Sequence, residues 1–322
     1  MSNMLLVFIV LFQLALVKLI EIGNIRLTVP MSLLLSQLII LLPFILYCAV
    51  SKQNPLKAIR FKKTKPISVF FAFLIALFSY PVVIFLNMVS MLFVENAVAD
   101  VMPSVLKMGL IPGLVFMALM PAVVEETIFR GMLYNTYSKY RPVAGILLSA
   151  VLFGLMHMNF NQMPYAIYLG IIMAIMMEVC DSILVPMVIH FTMNGSSTIL
   201  AFMSSALLQE TGETAAASDL KTALMERYEA SMVQMGMEIS QAQMESMFPM
   251  LIAGTILVFA VFAIGALAIV FVLIHAVANM NGRPLKEVLK KKETEEKICL
   301  VDIWLILFVI YTLYQCVISI GI

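Results

Sequence analysis

Long apolar segments recur along the whole chain, and they constrain the fold more than any other feature of the sequence. A helix needs about 20 apolar residues to cross the hydrocarbon core of a bilayer. Segments of roughly this kind cover residues 4–20, 28–50, 67–94, 108–129, 142–158, 164–180, 185–208, 248–278 and 300–322. They predict an all-α polytopic membrane protein with eight or nine transmembrane helices.

The composition supports this class of protein. Of the 322 residues, 62% are hydrophobic and 12% are charged, whereas about a quarter of the residues in soluble globular proteins are charged. The chain is therefore expected to have the lipid bilayer as a partner and no nucleic acid. Its cysteines, which are Cys48, Cys180, Cys299 and Cys316, have unrelated spacings and show no metal-binding or disulfide pattern.

The charges between the apolar segments predict the orientation. Residues 51–66 contain six Lys or Arg and no acid, and residues 279–299 contain six more basic residues. The segment 207–247 instead contains seven acids and two basic residues. Because basic loops favour the cytoplasmic side, both basic segments and the amino terminus are expected in the cytoplasm.

The chain divides into four predicted parts. They are N-terminal transmembrane helices with a basic cytoplasmic loop (1–104), a helical core (105–208), an extramembrane insertion (209–247) and C-terminal transmembrane helices (248–322). In the insertion, apolar residues recur every three or four positions from Leu220 to Ala242, which predicts an amphipathic helix.

The sequence EETIFR (125–130) places three charged side chains behind an apolar run. Glu126 and Arg130 are four residues apart, acid first, a spacing that favours an ion pair along one helix face. Glu125 lies about 100° around the helix, so Arg130 is poorly placed to bind both acids. The interpretation is that Glu125 stays free to act as a general base. The alternative is that the helix ends here and the charges extend to the membrane interface.

Two of the three histidines lie in the following segments. Phe153 and His157 are four residues apart, as are His190 and Asn194, so each pair would share one helix face. If the chain turns back near Arg141, Glu125 and His157 would lie at the same depth in an antiparallel hairpin. A glutamate, two histidines and an asparagine on three successive helices are hard to explain by packing alone.

Three motifs in this region resemble those of the CPBP family of intramembrane proteases, which includes the type II CAAX prenyl endopeptidase. EETIFR fits EExxxR at Glu125–Arg130, FGLMH fits FxxxH at Phe153–His157, and HFTMN fits HxxxN at His190–Asn194. They occur in the family's order within about residues 105–208. The resemblance implies a helical core that hydrolyses peptide bonds in or beside the bilayer.

The resemblance also implies roles for the motif residues. Glu125 would activate the attacking water and His157 would help to orient it, while His190 and Asn194 would stabilise the oxyanion. Glu126, Arg130 and Phe153 would support this arrangement. We expect metal-free glutamate chemistry with no cofactor; the alternative is a zinc enzyme with Glu125, His157 and His190 as ligands.

These implications define the expected activity. The leading hypothesis is an integral membrane endopeptidase, with the bacterial plasma membrane as its expected location, that cuts a membrane-associated peptide, either lipidated or a leader. The alternatives are a non-proteolytic scaffold or bacteriocin-immunity protein of the same fold, or a proton-coupled transporter. The chain departs from the family at EVCDSILVP (178–186), where members often have a basic, glycine-containing turn, and in the 207–247 insertion.

Overall fold

The computed structural model describes residues 2–99, 101–139, 141–211, 220–236, 240–290 and 300–320, and these residues form helices and connecting segments without strands. The longer helices are α1 (Ser2–Ile22), α2 (Val29–Ser51), α3 (Pro66–Ser90), α4 (Leu110–Tyr137), α5 (Pro142–Leu155), α6 (Met163–Cys180), α7 (Leu184–Thr211), α8 (Leu220–Gln234), α9 (Gln241–Met280) and α10 (Ile303–Ile318). Short helices at Pro55–Ala58, Met102–Met108 and Leu285–Val288 lie in the connections.

Among the described residues, seven helices are long and apolar enough to cross a membrane: α1, α2, α3, α4, α6, α7 and α9. The predicted fifth and ninth spans correspond to the shorter apolar helices α5 and α10. The protein is therefore an all-α polytopic membrane protein, as predicted.

Proline and capping residues set most of the helix starts. Proline occupies the first or second position of α2, α3, α5 and α6, where its missing N–H costs no hydrogen bond. Ser240 and Gln243 form a capping box at the start of α9, so this helix begins at Gln241 rather than at residue 248 as predicted. Its 40 residues correspond to a length of about 60 Å, which exceeds the hydrocarbon thickness.

The insertion contains a shorter helix than its periodicity predicted. Helix α8 ends at Gln234, and Ala242 belongs to α9. Residues 212–219 and 237–239 of the insertion lie outside the described residues, as does Cys299. The described cysteines, Cys48, Cys180 and Cys316, are free.

The helices that carry the three motifs, α4, α5 and α7, pack around buried polar side chains. Helix α6 is the most enclosed span, because 56% of its apolar 18-residue stretch is buried inside the protein. The corresponding fraction for α9 is 17%. Helices α5 and α6 pack together, α7 packs against α3, α4 and α6, and α2 packs against the middle of α4. The segment of α4 that carries Glu125, Glu126 and Arg130 is thus surrounded by α2, α5 and α7.

The two basic segments meet at one end of the bundle. Lys62 forms an ion pair with Asp181, and Lys65 donates a hydrogen bond to the carbonyl of Met280. The acidic turn after α6, which departs from the family pattern, therefore binds the basic loop after α2. Both basic segments lie at the same end of the bundle, which is necessary if both face the cytoplasm as predicted.

A buried carboxylate anchors the same end of the bundle. Glu178 is 2% exposed and accepts hydrogen bonds from Arg60 at 2.8 Å, Tyr134 at 3.0 Å and Arg283 at 3.1 Å. These partners lie on the first basic loop, on α4 and on the second basic loop. The network therefore ties the two basic loops to the end of the helix that carries Glu125.

Candidate active site

The buried centre of the site is the ion pair between Glu126 and Arg130 on α4. Nη1 of Arg130 lies 2.8 Å from Oε1 of Glu126, and both side chains are fully buried. The ion pair predicted from the four-residue spacing is therefore present. The alternative, in which these charges reach the membrane interface, is wrong because both side chains lie inside the bundle.

His190 on α7 binds the same glutamate. Its Nδ1 lies 2.8 Å from Oε1 of Glu126, and a carboxylate oxygen can only accept a hydrogen bond. Nδ1 therefore carries a hydrogen and donates this hydrogen bond to Glu126. The bond fixes the ring orientation and directs Nε2 away from Glu126. Glu126 thus joins Arg130 of its own helix to His190 of a neighbouring helix.

Glu125 is the carboxylate that the arginine does not bind. Its side chain is 16% exposed, and its Oε2 lies 3.9 Å from Nε2 of His190. This gap is longer than a hydrogen bond, and one water molecule could bridge it. The other oxygen, Oε1, lies 3.4 Å from Nε2 of Gln37 on α2. Arg130 therefore pairs with Glu126 and not with Glu125, as the separation of the two glutamates around the helix predicted, whereas His190 lies next to both.

Asn194 lies one turn after His190 on α7 and contacts α4. Its Nδ2 donates a hydrogen bond to the carbonyl of Met117 at 3.1 Å. Pro121 cannot supply the α-helical hydrogen bond to this carbonyl, because proline has no N–H, and α4 is π-helical over Val115–Leu119. One N–H of the Asn194 carboxamide is therefore bound to α4, and the group carries a second one.

Phe153 on α5 joins the charged residues to both histidines. Its ring centroid lies 4.4 Å from Cζ of Arg130, a distance suited to a cation–π contact. The rings of His157 and His190 approach it edge-on, at centroid distances of 5.1 Å and 5.8 Å. Phe153 therefore sets the spacing between the two histidines.

His157 lies in the turn after α5, not on the helix as predicted. Helix α5 ends at Leu155, and Nδ1 of His157 donates to the carbonyl of Phe153 at 2.9 Å. With 14 residues, α5 is about 21 Å long, shorter than the hydrocarbon core of about 30 Å. Because α5 is this short, the chain turns before it would reach the far side of a bilayer. His157 therefore stays next to Phe153 inside the bundle.

The structure brings most of the predicted residues together. Glu125, Glu126, Arg130, Phe153 and His190 form one continuous cluster, with His157 attached to it through Phe153 and Asn194 one turn away on α7. Within the described ranges, no hydrogen bond or ion pair joins His157 to Glu125. Among the same residues, no group of three His, Cys, Asp or Glu side chains is placed to hold one metal ion.

Gln37 is the residue of this cluster that sequence reasoning missed. It lies on α2, outside all three motifs, and donates to the carboxylate of Glu125. The only local signal was a carboxamide in the middle of an apolar span, LLLSQLIILL (33–42). Such residues are costly in a membrane and mark functional sites.

Replacing Phe153 with leucine should affect activity more than stability. Leucine keeps an apolar side chain but removes the ring that contacts Arg130 and both histidines, so we expect a loss of about 1–2 kcal/mol of unfolding free energy and a decrease in kcat of up to about 100-fold. The matched control is Phe129→Leu, since this ring is also buried and contacts Phe153 at a centroid distance of 5.1 Å. Equal effects on kcat from the two variants would contradict a special role for Phe153.

The fold and the site together define a class of protein. Apolar helices surround a buried cluster of two carboxylates, an arginine and two histidines, an arrangement typical of integral membrane proteins that act inside the bilayer. Residues 107–196 match the model of one family, described as Type II CAAX prenyl endopeptidase Rce1-like. No curated protein and no solved structure matches the chain.

The family match confirms the resemblance to CPBP proteases. The matched region contains all three motifs, whereas α2 with Gln37 lies outside it. The family suggests a CAAX-type intramembrane protease, and the buried pairs of glutamate and histidine are compatible with that activity. The protein is thus an integral membrane protein in which residues 107–196 are similar to this protease family.

Proposed function

We propose that this protein is an intramembrane endopeptidase in which Glu125 activates water to hydrolyse a membrane-associated peptide, either lipidated or a leader. The observation that carries the proposal is the difference in burial and hydrogen-bond partners between the two adjacent glutamates. Glu126 is fully buried and bound by both Arg130 and His190, whereas Glu125 is partly exposed and faces Nε2 of His190. Only Glu125 is placed to exchange a proton with a water and a substrate.

The reaction needs a base, an oxyanion site and a proton for the leaving group. Glu125 takes a proton from water as the water oxygen attacks the scissile carbonyl carbon. When the tetrahedral intermediate collapses, the C–N bond breaks and the Glu125 carboxylic acid returns the proton to the departing amine. The products are a new carboxylic acid and a new amine, which become a carboxylate and an ammonium ion when the acid transfers its proton to the amine, and Glu125 is regenerated as the carboxylate.

His190 and Asn194 are the proposed oxyanion donors. Both lie on one face of α7, one turn apart, and Asn194 has a second N–H besides the one bound to Met117. His190 donates from Nε2 when both ring nitrogens are protonated.

His157 is the proposed water-orienting residue. Its Nδ1 donates a hydrogen bond to the carbonyl of Phe153. In the neutral ring, the lone pair of Nε2 can therefore accept a hydrogen bond from the attacking water. Its contact with Phe153 keeps it near His190. The proposed orientation places the site nearer the cytoplasmic leaflet, since the basic loops lie at the end of the bundle towards which α4 runs after Glu125.

The proposal is tested by mass spectrometry of a panel of lipidated and leader peptides incubated with the purified protein in liposomes. In water labelled with oxygen-18, direct attack of water should place one labelled oxygen in the new carboxylate of a single cleavage product. Absence of cleavage across the panel, or equal cleavage by a Glu125→Gln variant, would argue against the proposal.

Metal removal separates the glutamate mechanism from the zinc alternative. We expect activity to survive dialysis against 1,10-phenanthroline and EDTA, because in the proposed mechanism Glu125 itself provides the base. The control is the same treatment of a known zinc peptidase in the same liposomes. Activity that is lost on chelation and restored by Zn²⁺ alone would replace glutamate chemistry with metal chemistry.

A further inference from the structure

Gln37 is a buried polar residue in an apolar membrane helix, far in sequence from the motifs. Its residue is 9% exposed, and α2 packs against the part of α4 that carries Glu125. Burying a carboxamide away from water is unfavourable unless it finds a hydrogen-bond partner. The partner here is the Oε1 atom of Glu125, 3.4 Å from Nε2 of Gln37.

The chemistry of the contact fixes the orientation of the carboxamide. An ionised carboxylate only accepts hydrogen bonds, so the NH₂ group must face Glu125 and the carbonyl oxygen must point elsewhere. This Oε1 atom of Gln37 is buried and has no hydrogen-bond partner among the described residues. The contact with Glu125 is therefore the hydrogen bond that the Gln37 side chain makes among the described residues.

The two oxygens of Glu125 are consequently distinct. The terminal torsion of a glutamate is broad and roughly two-fold, so a free carboxylate could present either oxygen to either side. A donor on Oε1 holds the plane of the carboxylate and leaves Oε2 facing Nε2 of His190 at 3.9 Å. A base must be held in this way to act on a water at a fixed position.

We propose that Gln37 is a positioning residue that orients the Glu125 carboxylate for proton transfer. This inference rests on the proposed function, because it assigns Glu125 the role of base. It extends the site beyond the matched region of residues 107–196, since α2 supplies a required group. A purely structural hydrogen bond between α2 and α4 would instead contribute to stability alone.

The test uses Gln37→Met in the full-length protein. Methionine has a similar length but neither donates nor accepts strongly, so we expect kcat to fall by up to about 100-fold with KM nearly unchanged. The matched control is Gln13→Met on α1, since Gln13 is also a partly buried glutamine in a span and has no bond to the site. A Gln37→Met enzyme with wild-type kcat would overturn the inference.

A second comparison separates positioning from structural support. Because Gln37 acts through Glu125, adding Gln37→Met to Glu125→Gln should leave the residual rate of Glu125→Gln unchanged. A further drop in rate would mean that Gln37 acts independently of Glu125, and would contradict the proposal.

A stability measurement keeps the inference separate from the proposed function. In a double-mutant cycle of Gln37→Met and Glu125→Leu, the shifts in Tm should be non-additive, because each variant removes the same contact. If no peptide is cleaved, the proposed protease activity fails, and this cycle still decides whether Gln37 holds Glu125. Additive shifts would show that the contact carries no coupling and would overturn the inference by themselves.

Discussion

Replacing Glu125 with glutamine is expected to lower kcat by about 10²- to 10⁴-fold while the protein remains folded. Glutamine matches the shape of glutamate but cannot take a proton from water at neutral pH. Its carboxamide oxygen can still accept the hydrogen bond from Gln37, so the packing of α2 against α4 should persist. Cleavage rates from mass spectrometry and Tm measurements on the same preparation test both parts of the prediction.

The control and the rival functions make this result decisive. Glu245→Gln changes an exposed glutamate on α9 and should leave both the rate and the Tm unchanged. A scaffold or immunity protein would retain its function in the Glu125→Gln variant. A proton-coupled transporter would instead lose substrate uptake driven by a pH gradient in liposomes. Full cleavage activity in Glu125→Gln would remove Glu125 from the mechanism.

Replacing Arg130 with methionine is expected to lower the free energy of unfolding by about 3–5 kcal/mol. The substitution leaves the Glu126 carboxylate fully buried with His190 as its remaining partner, and a buried charge without its partner is strongly destabilising. It also removes the cation–π contact with Phe153. Thermal or denaturant unfolding in detergent measures the loss, and peptide cleavage should disappear in the same variant.

A double variant separates the cost of an unpaired charge from the role of Glu126 in the site. In Glu126→Leu/Arg130→Met both charges are gone, so much of the lost stability should return, since apolar replacements of a buried pair are often neutral. Activity should stay absent, because Nδ1 of His190 has lost its acceptor. Lys18→Met, which breaks the exposed pair with Glu21, should have little effect. A wild-type Tm for Arg130→Met would contradict the account.

Local regularities made several features predictable. The length and apolar character of each segment predicted the spans, and the helices of the structure lie within a few residues of them, except where α4 continues to Tyr137 and α9 begins early at its capping box. The four-residue spacing predicted the pair of Glu126 and Arg130, because both residues lie on one helix and its geometry alone sets their separation.

Contacts between helices could not be predicted in the same way. The bonds from Glu126 to His190 and from Glu125 to Gln37 join residues 64 and 88 positions apart. The short α5, with His157 in the turn after it, also departs from the predicted helix through residue 158. Each of these depends on where one helix stops or on which neighbour it packs against.

The sequence by itself determined that the chain is helical, spans a membrane and holds a carboxylate pair, two histidines and an asparagine on successive segments, because hydrophobic length and helical spacing are local properties. Only the tertiary structure decided that Glu126 is tied to Arg130 and His190 while Glu125 faces His190 and Gln37. The physical reason is that the rotation, depth and length of neighbouring helices are set by packing across the bundle, which determines the side chain that each oxygen meets.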